Sequence, residues 1–188
     1  MKRIHLILVL IFLSVTTSTF AQTSAKLKTT KTHIKFFSTT PAENIEANNY
    51  ASVSVLNTKT GEGVFSVPMQ SFEFDKALMQ KHFNSDKFLD TKAFPSAKLK
   101  GKVTNISEID FSKDGIYQAT ISGDMTIKGK TKPVKEIASI TVKGKTINVN
   151  SKFNITLSDY DITFVKGKPS TNIANTVEVT VVAEYQTE

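Results

Sequence analysis

Tyr117-Gln118-Ala119-Thr120-Ile121-Ser122-Gly123-Asp124-Met125-Thr126-Ile127 alternates apolar or small residues with polar ones, following Ile116. A period of two puts Tyr117, Ala119, Ile121, Gly123, Met125 and Ile127 on one face of a strand. Gln118, Thr120, Ser122, Asp124 and Thr126 share the other. Ile147, Val149, Ser151, Phe153, Ile155 and Leu157 repeat the pattern against Asn148, Asn150, Lys152, Asn154 and Thr156. Near the C-terminus Val177, Val179, Val181, Ala183 and Tyr185 alternate with Glu178, Thr180 and Glu184. Strands with one wet face belong to antiparallel sheets.

Turn signals extend this reading in both directions. Lys113-Asp114-Gly115, Gly129-Lys130-Thr131 and Lys143-Gly144-Lys145 read as hairpin tips. Thr60-Gly61-Glu62-Gly63 joins a strand over Ala51–Leu56 to one over Val64–Met69. Ile34–Ser38, Ala97–Ile106 and Val134–Val142 complete eight strands. The expected fold is all-β, an extended eight-stranded antiparallel barrel, wide enough to hold one small ligand. Two stretches read as short helices. Thr40-Pro41-Ala42-Glu43 has a capping-box pattern with Pro at the first helical position, predicting a helix through Ala47. Asp75 is placed to cap another, with Leu78, Met79, His82 and Phe83 on one face. Phe88-Leu89 adds a further turn before Pro95.

The N-terminus reads as an export signal. Lys2 and Arg3 precede an apolar run, Ile4 to Val15, and Thr19-Phe20-Ala21 has the small residues of a cleavage site. The expected organisation is a signal peptide over 1–21 and a single domain over 22–188, in the periplasm or secreted. The run falls short of the ~20 residues of a spanning helix, and no later stretch is apolar enough to cross a bilayer. The chain has no Cys, which excludes disulfides, thiolate metal sites and thiol nucleophiles. Of the formal charge of +7, Lys2 and Arg3 leave with the signal, so 7 − 2 = +5 remains. Every other basic residue is Lys, interleaved with acids, which reads as a solvated exterior rather than specific nucleic-acid recognition.

Catalytic motifs are not found. Gly123 to Thr131 ends in Gly-Lys-Thr but has five residues between its glycines, where a phosphate loop needs four, and it sits between strands. His33 and His82 lack zinc-enzyme spacing, and no Gly-x-Ser-x-Gly elbow occurs. No catalytic residue and no metal ligand is assigned. Asn105-Ile106-Ser107 and Asn154-Ile155-Thr156 match a glycosylation triplet and read as strand sequence.

The stretch from Phe72 to Phe94 gathers Phe72, Phe74, Leu78, Met79, Phe83, Phe88, Leu89 and Phe94 with polar groups between them. It reads either as a helical connection packed on the core or as a greasy mouth to a pocket. Here the sequence resembles the YceI family of polyisoprenoid-binding, lipocalin-like periplasmic barrels. The resemblance lies in His82-Phe83, in Ser85-Asp86-Lys87-Phe88-Leu89-Asp90 and in Phe94-Pro95. Gly123 to Val134, a strand ending in Gly129-Lys130-Thr131-Lys132-Pro133-Val134, resembles a second block, and Leu157-Ser158-Asp159-Tyr160-Asp161-Ile162 a third that usually reads Arg-Ser-Asp-Phe-Gly. Leu157 stands in place of the Arg and Asp161 in place of the Gly, positions expected near a ligand's polar head.

The resemblance implies a long apolar pocket for an amphipathic lipid, an isoprenoid quinone or a polyprenyl phosphate, with no cofactor for catalysis. Each buried methylene of a tail contributes ~0.8 kcal/mol, so retention needs no catalytic group. The candidate ligand-binding residues are Phe72, Phe74, Met79, His82, Phe83, Phe88, Leu89, Tyr117, Met125, Phe153, Ile155, Val177, Val179 and Val181. The first reading is an exported lipid binder. A binder of another apolar ligand such as a fatty acid, a filled-core interaction protein and an enzyme acting on a lipid head are its rivals. The lack of a nucleophile–base motif counts against the enzyme, and a homodimer is left open.

Overall fold

The alternating stretches form strands with the inward faces read from the sequence. The structure is a computed structural model that describes residues 25–163 and 173–187; the expected signal peptide lies outside them. The strands are β1 (Lys26–Thr29), β2 (Thr32–Thr39), β3 (Asn44–Asn49), β4 (Val53–Asn57), β5 (Glu62–Pro68), β6 (Glu73–Phe74), β7 (Ser96–Val103), β8 (Gly115–Ile127), β9 (Lys130–Lys143), β10 (Thr146–Thr156) and β11 (Thr176–Gln186). One helix, α1, spans Ala77–Asn84. The strands form one sheet in the order β1-β4-β5-β7-β8-β9-β10-β11-β2-β3-β6, with antiparallel pairing throughout.

The sheet curls into a half-barrel. β2 pairs with β11, while β1, the stretch just before it, pairs with β4. The same run of chain therefore meets strands from both ends of the sheet order.

Eleven strands are present in the described residues, rather than the eight expected. The excess comes from interruptions within runs that keep their direction. Thr29↔Ser54 and Ile34↔Asn49 lie on one continuous register, so β1–β2 and β3–β4 are two long strands, each broken once. Side chains bond the backbone at the breaks. Thr29 Oγ1 accepts the Lys31 N–H at 2.9 Å. Asn49, fully buried, accepts from the Ala51 N–H at 3.0 Å and the Ser52 hydroxyl at 2.9 Å, and donates to the Pro68 carbonyl at 2.8 Å. A 3₁₀ turn over Met69–Ser71 separates β5 from β6.

The helix expected through Ala47 is absent. Thr40 to Glu43 form the β2–β3 hairpin loop, and Asn44–Asn49 is a strand. The Glu43 N–H does bond Thr40 Oγ1, at 3.2 Å, as a capping box requires. The next residues decide the outcome: Ile45, Ala47 and Asn49 are buried at a period of two. Nor does Asp75 cap α1, whose N-cap is Lys76 with no side-chain hydrogen bond. Leu78 is 63% exposed instead of sharing the packed face with Phe83.

Two smaller readings also change. Lys113-Asp114-Gly115 is not a hairpin tip but leads into β8 after a 3₁₀ turn over Ile106–Glu108. Asn105 sits at the start of that turn, bonding Gln118 O and Glu108, so the Asn105 triplet is not strand. The other tips form: Lys128-Gly129 joins β8 to β9 and Gly144-Lys145 joins β9 to β10.

The β9–β10 ladder is incomplete. It runs from Lys143↔Thr146 to Ala138↔Ser151 and stops. Beyond it Lys130–Ile137 pair only with β8, and Lys152–Thr156 only with β11, among the described residues. The two strands fork there. The 3₁₀ turn over Leu157–Tyr160 follows β10 at this end.

Candidate functional site

Inward-facing side chains divide the interior into two halves. One is filled by Ala119, Ala138, Ile140, Val142, Ile147, Ala183 and Tyr185, all at most 2% exposed. The Tyr185 hydroxyl bonds Ser54 there, and burial pushes its pKa up to about 12. The other half surrounds a cavity of about 510 Å³, within the ~300–1,000 Å³ usual for small-molecule sites. β2 contributes Ile34 and Phe36 to its wall, β5 Phe65 and Val67, β7 Ala97 and Leu99, and β8 Ile121, Met125 and Ile127. Val134 of β9, Phe153 and Ile155 of β10, and Val177, Val179 and Val181 of β11 continue it.

The segment between β6 and β7 packs across this half. Phe83 of α1 is 6% exposed and meets Phe36, Phe72, Phe74 and Phe88 at ring-centroid distances of 5.6, 5.4, 5.0 and 6.4 Å. Such contacts add to the burial term. Met79, one turn earlier, lines the cavity half-buried, and the exposed His82 also reaches it. After α1 the chain is pinned. The Asp90 N–H donates to Ser85 O at 2.8 Å, and Thr91 Oγ1, fully buried, donates to Asn84 Oδ1 at 2.9 Å.

All the residues expected at the ligand line this cavity except Tyr117. Tyr117 faces inward but packs in the filled half, with its hydroxyl donating to the Lys113 carbonyl at 2.9 Å. The face is right and the level is wrong: 125 − 117 = 8 residues separate it from Met125 along β8, ~27 Å of extended chain.

The family model of the YceI-like domain matches residues 13–185. This chain belongs to the YceI-like family. A polyisoprenoid binding domain from Saccharophagus degradans, implicated in plant cell wall breakdown, is similar in fold, with a TM-score of 0.72 at 14% identity over 87% of this chain and 99% of that one. Burkholderia cenocepacia BcnA gives 0.69 at 16% identity, over 82% and 96%. A Campylobacter jejuni YceI protein gives 0.61 at 16% identity, over 78% and 86%. No sequence match is found among curated proteins.

The structure joins the YceI-like blocks in space. Gly129 has φ +73°, and a side chain on it would run into the Phe94 ring. The glycine of the second block thus seats the aromatic of the first. In the third block Asp161 has φ +53°, the left-handed region where glycine is easiest. It does not line the cavity. It is exposed and paired with Lys130 at 2.9 Å, and that hydrogen bond holds its carboxyl below the usual range. Lys128 donates to its carbonyl at 3.1 Å, so Asp161 ties this turn to the β8–β9 tip. Leu157, in place of Arg, does line the cavity and extends its apolar wall.

Several lining residues escaped the sequence reading. Ile34, Phe36, Phe65, Val67 and Leu99 lie on strands that the sequence predicts, but the apolar alternation there does not by itself mark them as cavity wall. Glu136 is different in kind. It occupies the phase of Val134, Ala138 and Ile140, and is the one charge in that phase from Val134 to Val142. A charge at an apolar phase is the signal that could have found it. Burial raises its pKa. The other polar or charged lining groups are Ser38, Glu43, His82, Lys98 and Ser151. Glu43 is held by Lys76 at 2.8 Å. No group of His, Asp or Glu among the described residues is arranged to hold a metal ion.

Proposed function

We propose that this protein is an exported carrier that holds the tail of an isoprenoid-like amphipathic lipid, of quinone or polyprenyl type, in the curled sheet. The observation that carries this is the cavity of about 510 Å³, walled by inward-facing Ile, Leu, Val, Phe and Met from β2, β5, β7, β8, β9, β10 and β11. An apolar space of this size gains ~0.8 kcal/mol for each methylene taken from water. Membership of the YceI-like family and the fold shared with a polyisoprenoid binding domain support binding rather than catalysis. Export rests on the basic start, the apolar run and Thr19-Phe20-Ala21. A filled-core interaction protein is disfavoured, because only one half of the interior is filled.

Native mass spectrometry of the protein purified from the compartment it reaches, with lipid extraction, tests the reading. A co-purifying prenyl lipid is the expected result. Protein that carries no lipid and fails to bind prenyl chains in titration would overturn it. The N-terminus of that preparation tests export separately, with cleavage expected before Gln22.

A further inference from the structure

The β9–β10 ladder stops at Ala138↔Ser151, and the next inward residue on β9 is Glu136. Its cross-strand partner on β8 is Ile121, and Ile121, Glu136 and Ser151 all line the cavity where it gives way to the filled half. Glu136 is therefore at once on the inner wall and beside the fork.

Its carboxylate makes no hydrogen bond or ion pair among the described residues, and burial is the sole influence raising its pKa. Ser151 Oγ donates to the Ile137 carbonyl at 2.7 Å, which leaves its lone pairs as acceptors. Tyr160, 4% exposed, comes from the turn beyond β10; its hydroxyl is pushed up by burial, then by the charges of Asp159 and Glu136. Among the described residues, the fork thus has two acids near the Tyr160 hydroxyl and no cation acting on Glu136. Glu136 is half-buried, and a carboxylate partly withdrawn from water without a partner carries part of the desolvation cost. A ligand donor placed against it recovers part of that cost, whereas a phosphate or carboxylate head meets like charge.

We propose that the β9–β10 fork is a head-group subsite, where Glu136 accepts a hydrogen bond from an amine, hydroxyl or amide on the bound lipid and anionic heads are rejected. This rests on the cavity holding the lipid's tail. The tail then lies along the Met125–Phe153–Val179 wall while the head meets water at the fork.

Three probes with one tail test it: geranylgeranylamine, geranylgeraniol and geranylgeranyl monophosphate. Each competes with a fluorescent prenyl lipid for the mature protein and for its Glu136→Gln and Glu136→Leu variants. Apo unfolding curves run alongside, and the conservative Gln variant carries the test if the Leu variant does not fold. The wild type is expected to hold the amine and the alcohol more tightly than the phosphate. The amine-to-phosphate ratio should fall about tenfold or more in the folded variants, the size of a lost hydrogen bond to a charged group. A ratio unchanged by the substitutions, or a wild type that prefers phosphate, overturns the subsite while leaving lipid binding intact. Failure of all three probes to displace the fluorescent lipid overturns the lipid-binding reading, and this proposal with it.

Discussion

Gly123 faces Gly101 across the β7–β8 pair, in the layer that separates cavity from filled core. A Cβ on Gly123 would overlap the Lys100 carbonyl and the Gly101 Cα, both backbone atoms that cannot swing aside. Gly123→Ala is therefore expected to cost at least ~1–3 kcal/mol in chemical denaturation. Full stability in that variant would show that the strands are not so close. Tyr185 gives a pH-dependent counterpart. Its pKa rises from 10.0 to about 12, because burial disfavours the phenolate while the Ser54 hydrogen bond works weakly the other way. Its contribution is complete below pH 10 and is lost as pH climbs towards 12, since the unfolded chain releases the proton first. Wild type should lose up to ~2–3 kcal/mol more than Tyr185→Phe across that window. The surface lysines titrate in both proteins, so parallel pH curves would contradict the assignment.

At the scale of elements, α1 combines packing with cavity lining in a single turn. Phe83→Ala empties the centre of a five-ring cluster and should cost ~3–5 kcal/mol. Met79→Ala, half-buried on the cavity wall, should cost ~1 kcal/mol yet weaken binding of a prenyl lipid several-fold. Denaturation curves beside lipid titrations separate the two roles; unchanged affinity in Met79→Ala would leave the segment as core packing. The same elements show what could be read in advance. β8, β10 and β11 announced themselves because each strand has one dry and one wet face, which is a period that survives any tertiary context. The breaks in the N-terminal strands did not, because Thr29 acts through one side chain–backbone bond and Asn49 through a local cluster of three hydrogen bonds, and neither leaves a periodic trace. Thr40-Pro41-Ala42-Glu43 misled because one hydroxyl–amide bond serves a helix start and a hairpin loop alike. Tyr117 misled because alternation gives the face of a strand but not the height along it.

Over the whole molecule, the two ends of the sheet differ in what holds them. Thr146–Ser151 of β10 is paired on both sides and packs on the filled half, whereas Lys152–Thr156 is paired with β11 alone. Hydrogen exchange of the lipid-free protein should be slow in the first segment and faster in the second. A prenyl lipid at a hundred times its Kd should add about 2.7 kcal/mol of stability. The added protection should fall on β2, β11 and the second half of β10, leaving Ile140, Ile147 and Tyr185 little changed. Protection spread evenly over both halves would contradict this division. The fork has a mechanical side as well. A ring of strands joined by an unbroken ladder has its girth set by the ~4.8 Å between neighbours, and widening it means breaking hydrogen bonds. Here the curled sheet is slit between β9 and β10 along part of its length, like a sleeve with an open cuff. At that level β9 and the chain after β10 are joined by side chains instead, Ser151 to the Ile137 carbonyl and Asp161 to Lys128 and Lys130, so a change of girth breaks those bonds and no ladder bonds. Pro133, with Lys130, Lys132 and Lys135 around it, keeps the open hem from pairing with a neighbouring molecule.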